Sequence, residues 1–122
     1  MINIQLPFPP TLNTYYRHVG ARVLISRKGR IYRTRVKCEI IKAGNPRIEG
    51  DITCVIEACP PDRRKRDLDN LLKATFDSME HANLFENDNQ IKDLRIYWGP
   101  KIKGGLLNIE LSPTLELYPS AI

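Results

Sequence analysis

The sequence predicts an α+β fold in which helices cover one face of a mixed sheet, and three observations lead there. Apolar residues alternate with a period of two in four short segments and recur at helical spacing in two longer ones. These segments follow one another in the order β-α-β-α-β-β. The nine prolines fall between the periodic segments rather than inside them. With 122 residues and neither an internal repeat nor a low-complexity tract, the chain reads as a single domain over residues 1–122.

Residues 2–7 alternate Ile2, Ile4 and Leu6 against Asn3 and Gln5 and stop at "PFPP", which predicts a first strand. Residues 9–25 mix prolines, cations, Tyr15 and Tyr16 with no stable period, so an exposed loop is expected there. Ser26 reads as an N-cap. The helix it opens carries Tyr32, Val36, Ile40 and Ala43 on one face and Arg27, Arg30, Arg33 and Lys37 on the other, before "GNPRIEG" ends it. Residues 52–59 form a second strand with Ile52, Cys54, Ile56 and Ala58 on one side, closed by two prolines. Leu68, Leu71, Leu72, Thr75 and Met79 form the narrow apolar stripe of a second helix. Residues 91–98 and 105–111 read as two further strands, expected to pair as a β-hairpin with "GPKIKGG" as its basic tip.

Lysine and arginine number 19 against 14 acids, for a formal charge of +5, which favours an anionic partner, nucleic acid before anionic lipid. The three cysteines, Cys38, Cys54 and Cys59, form no CxxC pair and have no histidine cluster beside them, so they are expected to be reduced, buried thiols rather than zinc ligands. No apolar run approaches a membrane span and no signal peptide is visible, so a cytoplasmic protein is expected, with no membrane partner and no organic cofactor.

Chemistry concentrates in "PDRRKRDLDNLLK", residues 61–73, where Arg63, Arg64, Lys65 and Arg66 run into Asp67 and Asp69. Two residues apart on an ideal helix, those carboxylates point about 160° away from each other. With Asp67 at the non-helical N-cap, its carboxylate can swing toward Asp69, and the helix dipole helps hold both charges. Mg²⁺ prefers such oxygen ligands, completed by substrate phosphate. Asp88 in "ENDNQ" is a further acid that a returning loop can bring to the helix entrance. Lys73, four residues after Asp69, can contact a phosphate or the charge developing in phosphoryl transfer. Each residue alone also has a plain structural reading: Asp67 as a cap, Asp69 with Lys73 as a surface pair, Asp88 as a turn residue, the basic run as a solvated patch. The residues alone leave two readings side by side, a metal-dependent phosphodiester enzyme and a DNA-binding module without chemistry.

The segment "PDRRKRDLDNLLKATFD", followed by "NDNQI" and "KGGLLNIEL", resembles the RusA family of Holliday-junction resolvases, and the match extends to "LPFPPTLNTYYRH" and "SRKGRIYR". The resemblance implies a homodimeric α+β endonuclease, found in phages and prophages, that acts in DNA recombination and repair. It would bind four-way junction DNA and make paired, symmetric nicks with Mg²⁺, or Mn²⁺ as substitute. It also implies that Asp67, Asp69 and Asp88 are the metal-binding acids and Lys73 the essential lysine. Arg63, Arg64, Lys65 and Arg66 are expected on DNA beside the cut, extended by Arg17, Arg27, Arg30, Arg33 and Lys37. One departure is visible: where the family often has two adjacent acids, this chain has Asn87 and Asp88, so its site carries less negative charge. A less selective nuclease of flaps or forks shares the same site and differs only in substrate geometry.

Overall fold

The computed structural model describes residues 1–114. The chain runs through β1 (Ile2–Pro7), α1 (Leu12–Tyr15), β2 (Tyr16–Val19), β3 (Arg22–Ile25), α2 (Arg27–Lys42), β4 (Ile52–Cys59), α3 (Leu72–His81), β5 (Ile91–Trp98) and β6 (Leu106–Pro113). A 3₁₀ turn, Leu68–Leu71, opens α3, and a second, Asp88–Gln90, precedes β5. No helix among the described residues is long and apolar enough to cross a membrane.

The main sheet has the order β1-β6-β4-β5; β6 is antiparallel to both neighbours and β5 is parallel to β4. The sheet is thus mixed, as expected. Ile4, Leu6, Ile52, Cys54, Ile56, Ala58, Leu107, Ile109 and Leu111 are buried in one core with Tyr32, Val36 and Ile40 of α2 and Ala74, Thr75 and Met79 of α3. The opposite face presents Asn3, Gln5, Glu57, Asn108 and Glu110, side chains that an antiparallel face can leave to water.

The expected hairpin of the last two strands does not form, because β4 lies between them and pairs with both. Ile52, Cys54, Ile56 and Ala58 of β4, with Cys59, are buried, so one face of the strand lies on the core. Residues 99–105 cross over the end of β4, tied to it by Gly99 N–H to Ala58 O at 2.8 Å and Ile102 N–H to Pro60 O at 3.0 Å.

Residues 9–25 are not a loop. They form α1 and a two-stranded ribbon in which Tyr16 faces Ile25, Arg17 Leu24, His18 Val23 and Val19 Arg22. Its two-residue turn has Gly20 at φ +60°, a conformation open to glycine and required at that position of a primed hairpin turn. Tyr15, within the segment expected to be an exposed loop, is fully buried. Ser26 caps α2 by accepting from Gly29 N–H at 3.0 Å, and its hydroxyl donates to Thr14 O at 2.6 Å, which ties the ribbon's two ends to the helix start. Ala43 ends up exposed as the C-cap of α2 rather than on its buried face. Cys38 is exposed while Cys54 and Cys59 are buried, so the expectation of three buried thiols fails at Cys38, which lies on the solvent side of α2.

Gly29 is where α2 meets the ribbon. A Cβ there would lie 2.5 Å from Tyr15 O and 2.7 Å from Ile25 Cγ1, and the first of these is backbone that cannot rotate away. Gly29→Ala is expected to destabilise the chain by about 1–3 kcal/mol in denaturant melts, while a change at exposed Lys28 leaves the midpoint unmoved.

Candidate active site

The basic run leaves the end of β4 as an extended segment organised by an acid that the sequence did not single out. Asp62 accepts from Arg66 Nη1 at 2.8 Å and Nη2 at 3.1 Å, and from Arg64 N–H at 2.9 Å. Those bonds, Arg66 first and Arg64 next, pull its carboxyl down to about 2. Arg66 also lies over the Phe8 ring at 5.5 Å, and its side chain is only 16% exposed. Of the four cations, then, Arg66 braces the segment, whereas Arg63, Arg64 and Lys65 are exposed. Together with Asp67, Trp98 and Lys101 they line an open groove of about 460 Å³.

Asp67 has extended backbone (φ −93°, ψ 133°), and its carboxylate caps nothing. Asp69 follows within the first turn of the 3₁₀ segment. The non-helical geometry that lets Asp67 escape the helical divergence is thus present, and both acids are exposed at the helix entrance.

Lys73, exposed in the first turn of α3, sits four residues before Asp77. Asp77 is occupied by other partners. It accepts from the Tyr15 hydroxyl, from Arg33 Nη2 at 2.5 Å and from Arg33 Nε at 3.1 Å, and Arg33 Nε lies 2.9 Å from the Tyr15 oxygen. Burial, then the neighbouring Asp77, pushes the Tyr15 phenol up to about 12, so it stays protonated as a donor. Burial alone would raise the Asp77 carboxyl, but the bonds from Tyr15 and Arg33 outweigh it and hold it below the usual range. Arg33 therefore points into the protein instead of joining the basic stripe, while Arg27, Arg30 and Lys37 of α2 and Arg17 of β2 are exposed.

Asp88 is not at the helix entrance. Its backbone N–H donates to Glu80 Oε1 at 2.9 Å, which fixes it beside the last turn of α3. The ten residues of α3, about 15 Å at 1.5 Å each, separate that point from Asp67 and Asp69. Among the described residues no three acids, histidines or cysteines converge as a metal cluster within one chain. The turn holding Asp88 is rigid: Asn87 Oδ1 accepts from Asn89 N–H at 2.9 Å, and Gln90 Oε1 accepts from Glu86 and Asn87 N–H, each at 2.9 Å. Asn87, at the position where the family often has an acid, works as a cap.

Sequence reading missed Asp62, the Tyr15–Arg33–Asp77 contact and the roles of Trp98 and Lys101 in the groove. Asp62 and Lys101 lie in the quoted segments "PDRRKRDLDNLLK" and "GPKIKGG", but the sequence did not mark what they touch.

An α+β domain with uncapped carboxylates at a helix entrance, opening into a cationic groove, has the build of a nuclease. The family profile described as Endodeoxyribonuclease RusA matches residues 7–112. Similar proteins include a crossover junction endodeoxyribonuclease of Enterobacteria phage HK97, 41% identical over 114 residues that cover 88% of this chain and 90% of that protein. Those of Enterobacteria phage 82 and Escherichia coli strain K12 are 41% and 40% identical over 112 residues, covering 90% of this chain and 92% of each relative. The chain belongs to the RusA endodeoxyribonuclease family.

The Asp77 contact makes a pH prediction. A carboxyl lowered in the native state contributes stability that is present above its unfolded value near 3.9 and is lost as pH falls through the native value. Asp77→Asn is expected to cost about 2 kcal/mol at pH 7, with the gap from wild type narrowing below about pH 4; melts across that range measure it.

Proposed function

We propose that the chain is a divalent-metal-dependent, structure-selective endonuclease that resolves Holliday junctions by paired, symmetric nicks. The observation that carries the reading is the groove in which Arg63, Arg64, Lys65 and Lys101 adjoin Asp67, together with the names of the relatives as crossover junction endodeoxyribonucleases. The cations hold the phosphates flanking the cut, with Arg17, Arg27, Arg30 and Lys37 extending the positive surface. Affinity therefore falls steeply with salt.

Asp67 and Asp69 are exposed, uncommitted oxygen ligands with no thiol or imidazole among the groove residues, a donor set suited to Mg²⁺ with Mn²⁺ as substitute. When bound, the cation supplies Lewis-acid activation of water and stabilises charge on the phosphoryl oxygens. Lys73, left without a salt bridge among the described residues because Tyr15 and Arg33 occupy Asp77, stabilises the negative charge of the transition state. The products carry 5′ phosphates, ready for ligation.

The working unit is a homodimer. Two strands must be cut, and the third acid stands a helix length away from the other two, so Asp67 and Asp69 of one protomer are completed by Asp88 of the partner subunit.

An end-labelled synthetic four-way junction and its linear arms, each with Mg²⁺ or EDTA, test the reading. Paired nicks are expected only on the junction and only with Mg²⁺; tight binding without cleavage overturns it in favour of a binding module. Lys73→Ala is expected to lower kcat by about 10²–10³-fold with little change in junction affinity; equal losses of both remove Lys73 from the chemistry. Asp67→Asn and Asp88→Asn are each expected to abolish nicking. Heterodimers of the two variants, formed by co-expression, regain one complete site and nick a single strand, whereas a site built within one chain leaves them inactive.

A further inference from the structure

The β2–β3 ribbon stands apart from the main sheet, and its chemistry is unlike that of a strand pair that covers a core. Residues 17–23 are all exposed, including Val19 at 48% and Val23 at 56%. A ribbon that packs on protein carries its apolar side chains on one face, but here the pairing divides them. Arg17, Val19 and Arg22 share one face, and His18 and Val23 share the other. Each face thus places an exposed valine beside basic or titratable groups. Beyond its root, where Tyr16 and Ile25 of the His18–Val23 face pack against the core, the ribbon has no inner side.

Its root, in contrast, is fixed. Tyr15 is fully buried and bonded to Asp77 and Arg33, Ser26 N–H donates to Tyr15 O at 2.9 Å, and Arg30 Nη1 donates to Ile25 O at 3.1 Å. An isolated two-stranded ribbon is marginal in water, so these contacts are what hold it out from the surface. Arg27, Lys28 and Arg30 surround the base with exposed positive charge.

We propose that this ribbon is the element that discriminates branched from linear DNA: its tip enters the open centre of a junction, Val19 and Val23 packing against exposed base steps on either side while Arg17 and Arg22 meet the converging phosphates. The proposal rests on the junction reading above and adds to it the residues that decide substrate geometry. A ribbon with an exposed valine on each face, and arginines beside one of them, fits between two duplex arms. A ribbon lying in one groove of a single duplex uses one face for the bases and leaves the other to water. Apolar side chains inserted at base steps unstack them, and a junction centre, already short of stacking partners, resists least. Tyr15 is buried and Tyr16 half-buried, so neither ring is free to stack on a base.

The test uses the full-length chain in EDTA, a four-way junction carrying 2-aminopurine beside the branch point, and a linear duplex of the same arm sequence. Val19→Ser/Val23→Ser is expected to lower the ratio of junction to duplex affinity by about tenfold and to abolish the fluorescence rise on binding. Val19→Ile/Val23→Ile keeps both, and the melting midpoint of each variant checks that the fold survives. An unchanged ratio and fluorescence rise in the serine variant overturn the proposal. So does an equal loss on junction and duplex, which makes the ribbon a general DNA arm. A wild-type protein with no preference for the junction overturns the junction reading as well.

Discussion

The parallel pairing of β4 with β5 is the constraint on which the rest of the structure depends. Antiparallel neighbours can be joined by a two-residue turn, but parallel neighbours require the chain to travel back the length of the sheet before the second strand begins. The connection between Cys59 and Ile91 makes that journey through α3. Every candidate catalytic group lies on it. The outward bend at the end of β4 carries the basic segment with Asp67 and Asp69, the first turn of the returning helix carries Lys73, and the turn into β5 carries Asp88. The same path that buries Leu71, Ala74 and Met79 against the sheet sets Asp88 a helix length from the other acids. The fold thus divides the acids between the two ends of one crossover.

Charge is sorted by the same packing. Arg66 and Arg33 belong to runs of cations that look alike in the sequence, yet each turns inward onto an aspartate and an aromatic ring. Half-buried arginine serves well there, because its planar guanidinium satisfies a carboxylate through two N–H groups while the ring covers its face. The neighbours Arg63, Arg64 and Lys65 are left on the surface. Inward-turned and exposed cations stand within a few residues of each other. The first kind braces the backbone from which the second kind projects.

Tyr15 joins these two regions. Its hydroxyl is bonded to Asp77 on α3 and lies beside Arg33 on α2, while the β2–β3 ribbon begins at the next residue. Asp77 is thereby occupied by partners other than Lys73, the root of the ribbon is anchored, and the two helices are clamped together above the sheet. A short polar contact of this sort couples the placement of the ribbon to the helix that carries the lysine.

The sequence by itself determined the elements whose periods are local. β1 and β4 have the expected bounds, α2 begins after the Ser26 cap and buries Tyr32, Val36 and Ile40, and α3 with the 3₁₀ turn that opens it buries Leu71, Thr75 and Met79. Asp67 at a non-helical cap was legible for the same reason, since cap geometry depends on a few neighbouring residues. The ribbon was less legible because its strands are four residues long and split their apolar groups between two faces, although Gly20 between Val19 and Val23 was a usable turn signal. Tertiary structure alone decided that β6 lies between β1 and β4 rather than beside β5, that Arg33 and Arg66 turn inward, and that Asp88 stands apart from Asp67. Side-chain period reports which face of an element is buried but carries no information on which strand lies beside it. That is settled among distant segments, here with β6 and β4 in the interior of the sheet and β1 and β5 at its edges.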